Sequence, residues 1–288
     1  MTARPRVGPA ALFVVSIAAA ALSACAPKLL TLPSGAGSPL TTDDANASLA
    51  QATTACRAAR TLTAEVAVSG SASGRRLRGR LSAGVSSPAS ARLEAVAPFG
   101  PPLFIFVAKG NDATLLLPRD DRVLEHERPD LVLEAVAGVP LGASDLDATL
   151  KGCASASGAI DARQVGDQWR ILRAVGGDEL FLHRDNKGKP WLLVATVRGR
   201  DGTERRWRAE FRDHQNGLPR SIRVTSLGGD RPGRAFDLHL ALSQVEVNPP
   251  LDADAFTVQI PRSATPITID ELKKSGPLAP PSTASDGR

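Results

Sequence analysis

Residues 91–153 read ARLEAVAPFGPPLFIFVAKGNDATLLLPRDDRVLEHERPDLVLEAVAGVPLGASDLDATLKGC. The pattern changes three times along this run. Leu93 and Ala95 alternate with Arg92 and Glu94, the period of two that marks a half-buried strand. Pro98-Phe99-Gly100-Pro101-Pro102 then breaks the chain with a tight apolar loop. Leu103 to Val107 is apolar on both faces, so something must cover its outer face. Ala113 to Leu117 and Arg122 to His126 form a further strand pair around the turn Pro118-Arg119-Asp120-Asp121. Pro129-Asp130 starts a helix over Leu131 to Ala137, which Gly138 ends. Ser144 caps a second helix, Asp145 to Lys151, and Gly152 stops it. These elements predict a curved antiparallel sheet, helices across its hollow face, and a projecting apolar loop.

The N-terminus reads as a processing signal. Arg4 and Arg6 make a positive region, and Ala10 to Leu22 an apolar one shorter than the about 20 residues of a membrane span. Leu22-Ser23-Ala24-Cys25 fits the lipoprotein cleavage pattern of an aliphatic residue, two small ones and a cysteine. Residues 1–24 are therefore expected to be a lipoprotein signal peptide, with Cys25 as the lipidated N-terminus; a plain cut near Ala24 would instead leave Cys25 a free thiol. Two or more acyl chains anchor stably where one does not, so the expected state is anchored to a bilayer and not spanning it. Residues 25–44, rich in Pro, Gly, Ser and Thr, read as the lipidated cysteine and a flexible tether.

Removing the leader takes away two arginines and no acids, which lowers the net charge from +5 to about +3. The basic residues mostly alternate with apolar ones along strands. That is the habit of a solvated sheet face, and no nucleic acid is expected as a partner. Export places the chain in an oxidising compartment with two cysteines left, Cys56 and Cys153. An even pair there points to a disulfide, the alternative being two separate buried thiols.

Beyond the tether, Thr42-Asp43-Asp44 caps a helix over Ala45 to Arg60, with Leu49, Ala52, Cys56 and Ala59 on one face. The period then drops to two. Leu62, Ala64, Val66 and Val68 share a face; after a turn at Ser71 to Gly74, so do Leu77, Gly79, Leu81, Ala83 and Val85, with Arg76, Arg78 and Arg80 opposite. The C-terminal half repeats the habit: Trp207, Ala209 and Phe211 alternate with Arg206, Arg208 and Glu210, and Phe236, Leu238, Leu240 and Leu242 with Asp237, His239 and Ala241. A last short strand is expected over Ala255 to Ile260, after Asn248-Pro249-Pro250-Leu251. Residues 262–288 read as a Pro-containing mobile tail. The fold class is mainly β (α+β), with about 11 strands and three helices in one domain over residues 45–261.

Motifs for chemistry are lacking. The four histidines, His126, His183, His214 and His239, include no i, i+4 pair and no HExxH. No GxSxG elbow and no phosphate-cradling glycine loop occurs, and Asp120-Asp121 and Asp43-Asp44 read as turn and cap residues. No catalytic residue, metal or cofactor is expected. The inward faces are almost wholly aliphatic, and a curled sheet of such strands either leaves an apolar hollow or fills it with its own core.

Leu93 to Ala97, Pro98-Phe99-Gly100, Leu103 to Val107, the helix at Leu131 to Ala137, Gly138-Val139-Pro140-Leu141 and the helix at Leu146 to Gly152 follow one another in an order that resembles the LolA/LolB-like superfamily. That superfamily includes an outer-membrane lipoprotein receptor and a periplasmic lipoprotein carrier. Asn248-Pro249-Pro250-Leu251 with Phe256 and Pro261 resembles its closing strand. The resemblance implies an incomplete antiparallel β-barrel wrapped on a helical lid, with a cavity between them for acyl chains of lipoproteins. It also implies a membrane-insertion loop, here Phe99 with Pro101, Pro102 and Leu103. Cavity and lid residues are then expected at Leu77, Leu81, Leu93, Ile105, Leu133, Val136, Trp207, Phe211, Leu238 and Leu240. Ala26 stands where an aspartate would mark retention at the inner membrane, so the resemblance implies the outer membrane, periplasmic face.

The expected function is non-covalent: a lipid-anchored monomer takes acyl chains, with a periplasmic carrier protein as a candidate partner, and passes them to the outer membrane. The alternatives are a carrier of another amphiphile such as a glycolipid, and a non-catalytic structural envelope lipoprotein with a filled core. A hydrolase would need a Ser or His beside a carboxylate in a pocket.

Overall fold

The computed structural model describes residues 28–154, 158–198, 206–227 and 235–275. Cys25 and residues 1–24, the expected signal peptide, lie outside the described residues, as do residues 276–288. The described residues from Pro33 onward form one compact unit.

The N-terminal half of that unit contains β1 (Ser38–Pro39), α1 (Thr42–Ala58), β2 (Thr61–Ala72), β3 (Arg75–Ser86), β4 (Ser90–Val96), β5 (Ile105–Lys109), β6 (Asp112–Leu117), β7 (Arg122–Glu127), α2 (Pro129–Ala137) and α3 (Ala143–Lys151). The C-terminal half contains β8 (Ala159–Val165), β9 (Trp169–Ala174), β10 (Glu179–His183), β11 (Leu192–Arg198), β12 (Arg206–Arg212), β13 (Ser221–Leu227), β14 (Phe236–Val247), a 3-10 turn (Ala253–Phe256), β15 (Thr265–Pro266) and α4 (Ile269–Ser275). All fifteen strands form one sheet, ordered β1-β8-β9-β10-β11-β12-β13-β14-β2-β3-β4-β5-β6-β7-β15. Every pairing is antiparallel except β15 on β7. The first and last strands do not meet, so the sheet is curled but unclosed, an incomplete barrel with helices on its inner face. Each edge strand is two residues long and ends on a proline, Pro39 or Pro266, which offers no N–H for further pairing.

The two halves join where β14 pairs β2, placing Leu240 opposite Val68 and Leu242 opposite Val66. The inner face holds Leu62, Ala64 and Val66 of β2, Ala83 and Val85 of β3, Ala91, Leu93 and Ala95 of β4, and Phe106 of β5, all buried. Helix α1 lies over β8, β10 and β11, and α3 over β3 and β4. Ala45, Ser48, Leu49, Thr53 and Cys56 form the buried face of α1, whose small side chains let it sit close to the sheet.

The strand count exceeds the expected eleven; the two edge strands among the fifteen come from segments too short and proline-bearing to show a period. Ala255 to Ile260 is not a strand: the chain turns through the 3-10 segment so that Phe256 buries on the outer side of β4 and β5. Arg92 fixes it there, its Nη1 donating to Ala255 O (3.1 Å) and Thr257 O (2.7 Å). This is the cover that the two-sided apolar run of β5 requires. The packed structure also runs past residue 261. Ile267 and Leu272 belong to the core, and α4 packs on α2, so residues 265–275 strap the lid.

Candidate functional site

The inner face changes character along the strands. At one end Leu62, Val66, Ala83 and Val85 are buried, with α3 over β3 and β4. Toward the other end, Val68, Leu77, Leu81 and Leu240 are half-buried, and Gly70 and Gly79 are exposed. These residues form one patch, because Gly79 pairs with Val68, Val68 with Leu240, Gly70 with Leu77, and Val66 with Leu81. Gly79 is in phase with Leu77 and Leu81, and a Cβ added to it meets no atom within 4 Å. The concave wall is therefore open above Gly79: an apolar floor with room over it.

The lid is pinned at one side. Cys56 and Cys153 are bonded, joining the last turn of α1 to the residue after the α3 cap, with Cα atoms 5.5 Å apart. Lys151, 1% exposed, donates to Arg60 O (3.1 Å) and Ser87 Oγ (2.7 Å) and lies 2.5 Å from Asp147 Oδ1. Two of its protons are thus hydrogen-bonded and its charge is matched by Asp147, which makes this group a structural lock. At the other end of α3, Arg198 of β11 pairs with Asp145 and lies 3.7 Å from Asp178, with its guanidinium 5.1 Å from the Trp207 ring centre. Burial pushes the Arg198 guanidinium down to about 10, still high enough to remain charged. Sequence reading missed both contacts, since a lone Lys or Arg on an amphipathic element looks solvated; their only signal is their place on inward-facing positions.

Helix α2 is held differently. Its cap, Gly138, has φ 72°, and a Cβ there would come within 2.9 Å of Ala72 Cβ in the β2–β3 hairpin. The end of α2 thus touches the rim of the patch, while Val132, Leu133 and Val136 face the core.

The loop between β4 and β5 stands at the same end of the sheet. Phe99 is 88% exposed, Pro101 is exposed, and Pro102 and Leu103 are half-buried. Leu103 donates its N–H to Ala95 O (3.0 Å), which anchors the loop base. Arg119, from the β6–β7 turn, donates through Nη2 to Phe99 O (2.7 Å) and through Nε to Pro101 O (3.2 Å). The loop is thus propped outward from below by a residue that reads in sequence as an ordinary turn arginine.

Most of the expected cavity residues share the inner face, in two sets. Leu77, Leu81 and Leu240 line the open patch; Leu93, Trp207, Phe211, Leu238, Leu133 and Val136 are buried core. Ile105 belongs elsewhere. It pairs with Glu94 and so faces outward, while Phe106, opposite Leu93, faces in. A run apolar on both faces carries no alternation to set the phase, and the register is fixed by β4.

Among the described residues the outer face carries shallow clefts. One, of about 160 Å³, is lined by Arg92, Glu94 and Phe256, and one of about 150 Å³ by Glu65, Arg80 and Ser243. Both are below the ~300 Å³ at which ligand pockets begin. Ser221 Oγ lies 2.9 Å from His239 Nε2 on this face, but Arg223, not a carboxylate, sits opposite His239. Among the described residues no group of three His, Cys, Asp or Glu side chains could hold a metal ion, and no helix is long and apolar enough to cross a membrane.

No protein-family model matches the chain, and no curated protein is a significant match. Solved structures do match. A LolA superfamily protein from Nitrosomonas europaea superposes with a TM-score of 0.52 at 13% identity, covering 76% of this chain and 99% of that one. A DUF1329 family protein from Desulfovibrio piger superposes with a TM-score of 0.50 at 12% identity, covering 76% of this chain and 98% of that one. The chain has a LolA/LolB-like fold.

Proposed function

We propose that this protein holds the acyl chains of lipoproteins against the open inner wall of its sheet and passes them to the outer membrane from the periplasmic face. The observation that carries the reading is the apolar floor around Gly79, walled by Val68, Leu77, Leu81 and Leu240 and open above. Hydrocarbon buried there gains about 0.8 kcal/mol per methylene with no polar group left unpaired. The likeness in fold to a LolA superfamily protein supports the same reading.

In this mechanism no covalent bond is made or broken. Helix α3, fixed by the disulfide, Lys151 and Arg198, is the stationary wall. Helix α2, which meets the rim at Gly138, is the part that yields as a chain enters. Phe99, held outward by Arg119, enters the bilayer interface and opens a path from the patch into the membrane. Lipidated Cys25 keeps the domain at that surface.

The test is mass spectrometry of lipids and lipopeptides that copurify with the protein from its native envelope, with a fluorescent fatty acid titrated into the delipidated protein. Acylated peptides in the first and saturable binding in the second are expected. A glycolipid would reassign the cargo, and no binding at all would leave a structural envelope protein.

A further inference from the structure

The outer face of β3 carries a row of exposed arginines. Several outward arginines on other strands are matched: Arg208 and Arg212 both pair with Glu210, Arg223 with Asp237, and Arg92 with Glu94. Arg76, Arg78 and Arg80 are exposed, and among the described residues none of them forms an ion pair. They share one face of the strand, opposite Ser71, Ser69 and Ala67 of β2, none of which is acidic. At two residues per ~6.8 Å the row spans ~14 Å. Arg75 at the hairpin tip is exposed beside it.

The row ends at the apolar loop. Arg80 pairs with Val96, the last residue of β4, which is 47% exposed; Phe99, 88% exposed, follows three residues later, within ~10 Å of extended chain. Arg119 adds a further exposed guanidinium at the loop base. The carboxylates in the neighbourhood are few. Glu65 and Glu94 each lie one pair beyond Arg80, with Glu94 held by Arg92; Asp237 is bonded to Arg223, and Asp120 and Asp121 share the turn of Arg119. This end of the molecule therefore presents an exposed aromatic tip bordered by a row of unmatched positive charge.

We propose that this face docks on a bilayer surface rich in anionic lipid: Phe99 and its prolines enter the interface while Arg76, Arg78 and Arg80 engage headgroup phosphates. A bilayer fits better than an acidic protein because the aromatic tip and the charge row lie side by side, as apolar core and headgroup layer do. The inference rests on the reading of the Phe99 loop as the membrane-facing tip, and the two can be separated by experiment.

The Pro33–Arg288 unit, which contains the sheet, the core cluster and the disulfide, is mixed with vesicles of phosphatidylcholine alone or with phosphatidylglycerol added, and bound protein is measured by flotation. Circular dichroism melts establish that each variant is folded. Preferential binding to phosphatidylglycerol vesicles, weakening with salt, is expected of the unaltered unit. In Arg76→Gln/Arg78→Gln/Arg80→Gln, binding to these vesicles falls on the order of 100-fold, about fivefold per arginine. Phe99→Glu lowers binding to both kinds of vesicle. Equal binding of the triple variant and the parent overturns the headgroup inference, and so does a parent that does not distinguish the two vesicles. A triple variant that loses its preference while Phe99→Glu binds normally leaves the headgroup inference standing and removes the insertion loop.

Discussion

The substitution Gly79→Leu tests the open floor directly. Gly79 lies in a regular strand, in phase with the half-buried Leu77 and Leu81, and an added Cβ meets nothing within 4 Å. Its φ is not in the left-handed region, so a side chain adds no backbone strain. If the space is real, a leucine enters it without displacing protein atoms, and replacing glycine in a strand stabilises by about 0.5 to 1 kcal/mol. If the space were already filled, forcing in four carbons would cost about 1 to 3 kcal/mol. The two cases differ in sign. For a bound acyl chain the leucine removes the room of about four methylenes, close to 3 kcal/mol, or on the order of 100-fold in affinity. Urea denaturation gives the first quantity and titration with a fluorescent fatty acid the second. The expected outcome is unchanged or raised stability with strongly weakened binding. A destabilised variant, or one that binds the fatty acid as before, refutes the argument that the inner wall is the site.

Three further outcomes follow from the pinned side of the lid and from one half-buried imidazole. Replacing Cys56 and Cys153 by alanine releases a 97-residue separation, and the lost loop constraint destabilises by up to about 4.7 kcal/mol, measured by denaturation against the oxidised parent. Lys151→Met strands Asp147 without its partner and costs about 3 to 5 kcal/mol, whereas Asp147→Leu/Lys151→Met recovers most of that; a double variant no better than the single one refutes the lock. Burial lowers the His214 pKa below 6.5, so the unfolded chain takes up its proton first as the pH falls. Stability is therefore full above 6.5, declines as the pH drops from 6.5 to the lowered folded value, and then levels; His214→Asn removes that slope in melts recorded across the range.

The sequence by itself determined the elements with a local cause. Alternation of apolar and polar residues set most strands and their inward faces, because a period of two depends only on neighbours along the chain. Pro129 and Gly138 set α2, whereas α3 starts one residue before Ser144, with Gly142 as its cap and Asp145 Oδ2 accepting the Gly142 N–H at 3.0 Å. Tertiary structure decided what depends on partners far along the chain. The pairing of β14 with β2 joins the two halves, and the β4 register turns Ile105 outward. The segment after residue 261 has no period, yet Leu272 is fully buried against the lid, because α2 presents an apolar back that something must cover. The open site is legible only in three dimensions: a glycine in an alternating strand says nothing about the space above it, and that space exists because α1 and α3 cover one end of the curled wall and leave the other bare.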